Sequence, residues 1–117
     1  MSTKKTHEPF WWGLFSAGGM IAAFAMPVMI LLTGFLAPLG VLPTALGYEH
    51  LHGLLSHVLV KIAISAAVTL TLFHCAHRVR HTLVDVGLAT EDGVAAALCY
   101  LGAVAGGIAC GSLLAAL

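Results

Sequence analysis

Three long, almost uncharged stretches of sequence constrain the fold more than any other feature of this chain. They run from Trp11 to about Leu36, from about His57 to His77 and from about Gly93 to Leu117. A helix needs about 20 mainly apolar residues to cross roughly 30 Å of hydrocarbon, so each stretch can span a membrane. Of the 117 residues, 60% are hydrophobic and only 9% are charged. Because a small soluble domain cannot bury that much apolar surface, the pattern predicts an all-α integral membrane protein with three transmembrane helices.

The same composition excludes several other classes of protein. Intrinsically disordered chains have few hydrophobic residues and many charges, which is the reverse of this composition. Five Lys and Arg residues balance five Asp and Glu residues, and no basic tract indicates a nucleic-acid partner. The cysteines form no CxxC pair, so we interpret them as small apolar side chains of the helices. They are Cys75, Cys99 and Cys110.

The distribution of positive charge predicts the orientation in the membrane. With three spans, the N-terminal tail and the second loop lie on one side. The positive residues of that side are Lys4, Lys5, Arg78 and Arg80, so the positive-inside rule places the N-terminus in the cytoplasm. Lys61 is the one charge within a span, and it lies close enough to the helix end for its ammonium to reach the headgroups. We predict a cytoplasmic tail at residues 1–10 and a single three-helix transmembrane domain at residues 11–117.

Small residues in the first and third spans indicate close helix packing. The first span has Gly18 and Gly19 with two alanines one turn later, and the third has glycines at similar spacing. Such small-xxx-small patterns let the backbone of another helix approach. The glycines of the third span are Gly102, Gly106, Gly107 and Gly111. Since three helices enclose little volume, we expect this chain to form part of a larger helical bundle.

The first loop, around Ala37–Ser56, is predicted to be a connection made of turns because it is rich in glycine and proline. We expect His50 and His52 in this loop to be solvated. His57, at the start of the second span, has no evident partner.

The end of the second span carries the most informative cluster of polar side chains. If the helix continues through the following loop, five polar residues fall on a stripe about 100° wide. They are His74, His77, Arg78, His81 and Asp85, whereas Arg80 points to the opposite face. Trp12 begins the first span on the same side of the membrane, at a similar depth. We expect His74, about a turn deeper, to hydrogen-bond to another helix.

This stripe has two interpretations. Arginine and histidine at a cytoplasmic helix end commonly anchor the helix to lipid headgroups. Ionisable groups within a membrane, however, usually face protein or a cavity. Guanidinium, imidazole and indole N–H groups can donate to the oxygens of a quinone, which become negative as it reacts, and histidine can exchange a proton near neutral pH. The residues alone leave both interpretations open.

Several sequence strings resemble one family of membrane subunits. They are EPFWWGLFSAGGM at Glu8–Met20, PVMILL at Pro27–Leu32, PLG at Pro38–Gly40 and HRxxH at His77–His81, followed by Asp85. In order and spacing they are similar to the D subunit of bacterial quinol:fumarate reductase. The resemblance covers roughly Glu8 to Asp85, and the third span matches mainly in length and composition.

The resemblance implies a four-subunit complex of anaerobic respiration in the bacterial cytoplasmic (inner) membrane. The flavoprotein, or A subunit, would reduce fumarate at its flavin, and the iron–sulfur protein, or B subunit, would relay electrons through its clusters. The hydrophobic C and D subunits would anchor them on the cytoplasmic face and carry menaquinol, without haem. Flavin and iron–sulfur clusters would belong only to the partner subunits, so this chain is expected to catalyse nothing by itself.

The resemblance also implies the residues of a quinone site. Residues corresponding to Trp12, Arg78 and His81 help to form it, together with groups from the C and iron–sulfur subunits. Family members often have two adjacent histidines where this chain has Arg80 and His81. Since Arg80 faces away from Arg78, we expect Arg80 to anchor the helix to lipid headgroups.

Three alternatives remain open. One is a haem b-binding anchor of a succinate dehydrogenase-type complex, for which His57, His74 and His77 are candidate ligands. His57 and His74 would lie about 25 Å apart along one helix, so a second ligand would have to come from another subunit. Another is a small multidrug-type transporter, which usually needs four spans and a carboxylate in mid-membrane; no span here contains a carboxylate. The third is a purely structural anchor whose partners make every contact with the quinone.

Overall fold

The computed structural model describes residues 7–41, 46–88 and 93–117. Four α-helices account for most of them: α1 at Glu8–Ile30, α2 at Tyr48–Ser56, α3 at Val58–Asp85 and α4 at Val94–Ala115. A π-helical segment, Leu31–Leu36, prolongs α1. With that extension, α1, α3 and α4 are long and apolar enough to cross a membrane. The prediction of an all-α chain with three spans is confirmed, and the described ranges contain no strand.

The first helix begins earlier than its uncharged stretch. α1 starts at Glu8, and Pro9 lies in its first turn, where the missing N–H of proline removes no intrahelical hydrogen bond. Part of the predicted tail at residues 1–10 is therefore helical. Residues 1–6 of that tail lie outside the described ranges.

A glycine determines where α3 ends. Gly87 has a φ of +73°, a conformation that glycine adopts without steric penalty. Its N–H donates to the Val84 carbonyl at 2.9 Å, and the Leu88 N–H donates to the Leu83 carbonyl at 2.9 Å. This pair of hydrogen bonds is a Schellman motif. Because α3 reaches Asp85 before the motif, the polar stripe from His74 to Asp85 lies on one uninterrupted helix.

The first loop contains a short helix, which the prediction of a turn-only connection missed. α2 follows Gly47, carries Glu49 in its first turn and packs against α3. His57 separates the two helices with an extended backbone, and its Nδ1 accepts a hydrogen bond from the Leu59 N–H at 3.3 Å. The imidazole of His57 therefore caps the start of α3, a partner that the sequence did not reveal.

α3 is the central helix of the chain, because α1 and α4 both pack against it. Gly18 and Gly19 of α1 lie so close to α3 that an added Cβ would collide with the Leu70 carbonyl or the His74 ring. On α4, a Cβ at Gly106 would lie 2.8 Å from Leu72 Cδ1, and one at Gly107 would lie 2.9 Å from Thr69 Oγ1. Close packing through small residues is confirmed at these four glycines. A Cβ at Gly102 or Gly111 would meet none of the described residues within 4 Å.

Most of the large apolar side chains remain exposed. Among the described residues, the buried hydrophobic side chains are Ala76, Ala103 and Leu114. In contrast, Phe24 is 72% exposed and Leu98 is 69% exposed. These surfaces are suited to lipid or to further helices, which agrees with a chain that belongs to a larger bundle.

Candidate functional site

Five aromatic and imidazole rings form a continuous cluster where the start of α1 meets the second half of α3. We call it the ring cluster; it comprises Trp12, Phe15, His74, His77 and His81. Spacings of three and four residues place each set on one face of its helix. Phe15 stacks on His74 with centroids 4.3 Å apart and contacts the edge of His77 at 4.6 Å.

His77 is the middle member of the ring cluster. Its ring lies 6.0 Å from that of Trp12 in an edge-to-face arrangement and 4.4 Å from that of His81. Its Nδ1 lies 2.9 Å from the hydroxyl oxygen of Tyr100, a hydrogen bond that connects α3 to α4. One imidazole therefore contacts side chains from all three spans.

His74 connects α3 to α1. Its Nδ1–H donates to the Phe15 carbonyl at 3.0 Å, and the absence of a side chain at Gly19 leaves room for its ring. This geometry confirms the prediction that His74 hydrogen-bonds to another helix. The bond satisfies a polar group at membrane depth, where an unpaired one is costly.

A cavity of about 610 Å³ opens beside the ring cluster. Its walls come from α1, α3 and α4 and are mainly apolar. The lining residues are Glu8, Trp11, Trp12, Leu14, Phe15, Leu70, Phe73, His77 and Tyr100. Cavities of about 300–1,000 Å³ with apolar walls and a few polar groups are typical of small-molecule sites.

Of the three residues of the predicted quinone site, Trp12 alone is among the residues that line this cavity. Trp12 lines it and contacts His77, and His81 contacts His77 from the next turn of α3. Arg78 follows His77 in the chain; Arg78 and His81 are both exposed, and neither is among the cavity-lining residues. The structure thus connects Trp12 and His81 through His77 and leaves Arg78 on the outer surface of this chain.

Arg80 is less exposed than Arg78, and its role as an anchor to lipid headgroups stays a prediction. It lies one turn after the buried Ala76 and two turns after Leu72, the neighbour of Gly106. It is half-buried whereas Arg78 is exposed. Helical spacing places the two arginines on opposite sides of α3.

Two residues of this region were missed as site residues. His77 was predicted to lie on the polar stripe and in the HRxxH motif but was not assigned to the quinone site, and Tyr100 was not considered. A signal for Tyr100 existed, because a hydroxyl inside an apolar span needs a hydrogen-bond partner. The sequence does not reveal how α4 is rotated against α3, and this rotation brings the hydroxyl to His77.

Metal binding receives no support from the arrangement of histidines. Within the ranges 7–41, 46–88 and 93–117, no group of three or more His, Cys, Asp and Glu residues could hold a metal ion. His57 caps one end of α3, while His74 bonds to α1 far along the same helix. These two imidazoles cannot clamp one haem.

Comparison with known proteins decides the family. The profile of the fumarate reductase D subunit matches residues 2–115. The chain belongs to this family. The D subunits of fumarate reductase from Mycobacterium tuberculosis (strain H37Rv) and Mycobacterium bovis (strain AF2122/97) are 43% identical to it over 97% of this chain and 90% of their own length. That of Aliivibrio salmonicida is 36% identical over 74% of this chain and 72% of its own. Membership of this family and the three apolar helices together identify a membrane anchor subunit of a fumarate reductase complex.

Proposed function

We propose that this chain anchors the flavoprotein (A) and iron–sulfur (B) subunits to the cytoplasmic face of the bacterial inner membrane. With the second hydrophobic anchor, the C subunit, it helps to form the site at which menaquinol is oxidised in anaerobic respiration. In this chain Trp12, Arg78 and His81 contribute to the quinone site. Family membership supports the anchoring role, and the ring cluster with its cavity supports the quinone site.

The observation that carries the quinone site is the position of His77. Its ring contacts both Trp12 and His81, and it lines an apolar cavity of about 610 Å³ together with Trp12. Indole and imidazole groups that converge beside an apolar cavity suit the polar ring and isoprenoid tail of menaquinol.

The residues divide the chemistry of the quinol between them. The Trp12 indole is a donor only, so it can orient a quinol oxygen but not take its proton. The Arg78 guanidinium remains charged and favours the negative charge that develops on oxygen as the quinol is oxidised. His81 can exchange a proton, and the electrons pass to the iron–sulfur subunit.

The orientation follows from the helix ends that this site occupies. α1 begins and α3 ends at the same side of the membrane, and that side carries Arg78, Arg80 and the adjacent tryptophans Trp11 and Trp12. Positive residues favour the cytoplasmic side, and tryptophan favours the interface. We infer that this end is cytoplasmic, where electrons can reach the iron–sulfur subunit.

Replacing Arg78 by leucine tests the proposal in the assembled complex. We expect quinol oxidation to fall about ten- to hundredfold, since hydrogen bonds to charged groups contribute about 1.5–3 kcal/mol. Fumarate reduction driven by a soluble dye should persist, because it does not pass through the membrane site. Both activities are measured in membranes that contain all four subunits.

Lys61→Leu is the matched control, since it removes a cation from the opposite end of the same helix. It should leave both activities within twofold of the unmodified complex. If Arg78→Leu and Lys61→Leu oxidise quinol equally well in fully assembled complexes, this chain is a structural anchor and the assignment of the quinone site is wrong. A Soret band in the visible spectrum of the purified complex would favour the haem-binding alternative instead.

A further inference from the structure

Tyr100 is a polar side chain of α4 that the proposed function leaves unused. Its hydroxyl oxygen lies 2.9 Å from His77 Nδ1, and this hydrogen bond is partly buried. The phenol ring is also held by Phe73 of α3, with which it stacks at a centroid distance of 6.3 Å. Tyr100, Phe73 and His77 all line the cavity beside the ring cluster.

We propose that Tyr100 is a positioning residue of the quinone site, which orients the His77 imidazole so that its Nε2 can meet an oxygen of the quinol. The inference rests on the proposed function, because it names a residue that supports the same site. The hydrogen bond at Nδ1 leaves Nε2 as the ring nitrogen for the substrate. The Phe73 ring lies beside the phenol on the same side of α3, at a centroid distance of 6.3 Å.

A hydroxyl is the partner that lets His77 serve both forms of the substrate. A neutral imidazole has one N–H and one acceptor nitrogen, and the bond at one nitrogen determines what the other can do. When the Tyr100 hydroxyl donates to Nδ1, Nε2 carries the hydrogen and can donate to a quinone carbonyl. When the hydroxyl instead accepts from Nδ1–H, Nε2 can accept a hydrogen bond from a quinol hydroxyl.

The neighbouring histidine shows the contrast. His74 Nδ1 is bonded to the Phe15 carbonyl, which can only accept, so its ring is restricted to the form with hydrogen on Nδ1. His74 is not among the residues that line the cavity, whereas His77 is. His77, which lines the cavity, is thus bonded to a hydroxyl that permits either neutral form of its imidazole. His74, one turn away, is bonded to a carbonyl that permits only one.

Tyr100→Phe tests this inference in the complete complex, with Tyr48→Phe as the matched control. Tyr48 lies on α2 and is 76% exposed, so the same loss of a hydroxyl there should change nothing. With a short-chain naphthoquinol as substrate, we expect Tyr100→Phe to lower kcat about three- to tenfold, the size expected for one neutral hydrogen bond. KM should change less than twofold because the apolar walls are retained, and dye-driven fumarate reduction should be unchanged.

A double-mutant comparison separates positioning from packing. His77→Phe keeps a ring in the cluster but removes both nitrogens. If the complex that carries His77→Phe does not assemble, His77→Leu is used in its place. Adding Tyr100→Phe to either variant should cause no further loss, whereas adding it to Arg78→Leu should cause the same three- to tenfold loss. A second measurement does not depend on turnover: the affinity of each complex for a fluorescent hydroxyquinoline N-oxide, which serves as a quinone analogue. The effect of Tyr100→Phe on this affinity is likewise compared in complexes with and without a His77 substitution.

The outcomes distinguish the inference from the proposed function. A loss that persists in the His77 variants would mean that Tyr100 acts through helix packing, and the inference would be overturned. The inference alone also fails if Arg78→Leu impairs quinol oxidation but Tyr100→Phe does not. If neither substitution matters in assembled complexes, the quinone site itself is wrongly placed and both proposals fall.

Discussion

The contact between Gly18 and the backbone of α3 gives the most direct test of the helix packing. A Cβ at Gly18 would collide with the Leu70 carbonyl and lie 3.1 Å from His74 Cβ. A carbonyl within a helix cannot move alone, so α1 and α3 would have to separate. That separation would also lengthen the hydrogen bond from His74 to the Phe15 carbonyl, now 3.0 Å.

The expected magnitude combines three contributions. Overpacking costs about 1–3 kcal/mol, and weakening the hydrogen bond costs up to about 1 kcal/mol. Alanine is favoured over glycine inside a helix by about 1 kcal/mol, which offsets part of this loss. We therefore expect Gly18→Ala to destabilise the assembled complex by about 1–3 kcal/mol.

The assay is the midpoint of thermal inactivation of the solubilised complex, with Gly13→Ala as the control. Gly13 lies on the same helix, and a Cβ there would meet none of the described residues within 4 Å. The control should be as stable as the unmodified complex or slightly more so, because only the helix propensity changes. Equal midpoints for Gly18→Ala and Gly13→Ala would refute the close packing of α1 on α3.

Two further predictions concern glycines elsewhere in the fold. Gly106→Leu should lower the thermal midpoint of the complex much more than Gly102→Leu. A Cβ added at Gly106 would lie 2.8 Å from Leu72, whereas one at Gly102 would meet none of the described residues within 4 Å. Equal midpoints would contradict the packing of α4 against α3. Gly87→Ala should destabilise the end of α3 by about 1–2 kcal/mol, since its φ of +73° strains any residue with a Cβ. Helical Gly53 provides the control, and a Gly87→Ala complex as stable as Gly53→Ala would argue against the glycine-dependent helix end.

The three spans were predictable because apolar length is a local property of the sequence. α2 was not, because Gly47 and Gly53 indicate turns in isolation, whereas packing against α3 supports a helix between them. The predicted second span ended at about His77, whereas α3 continues to Asp85 because the left-handed Gly87 ends the helix only there. These two differences arise where tertiary contacts or a single backbone conformation decide between helix and loop.

The site was predictable along one helix and not between helices. Spacing within α3 placed His74, His77 and His81 on one stripe, and the structure brings them together. The bond from His77 to Tyr100 joins residues 23 positions apart, and it depends on how α4 is rotated against α3. That rotation is not encoded in the periodicity of a single span.

The central place of α3 has a consequence for how the chain matures. α1 is synthesised first, and the surface that its two adjacent glycines contact does not exist until α3 has been made. The imidazole of His74 then enters the bilayer next to an acceptor that is already in place on α1. Tyr100 is synthesised last, so a chain truncated before α4 would lack the phenol that bonds to His77.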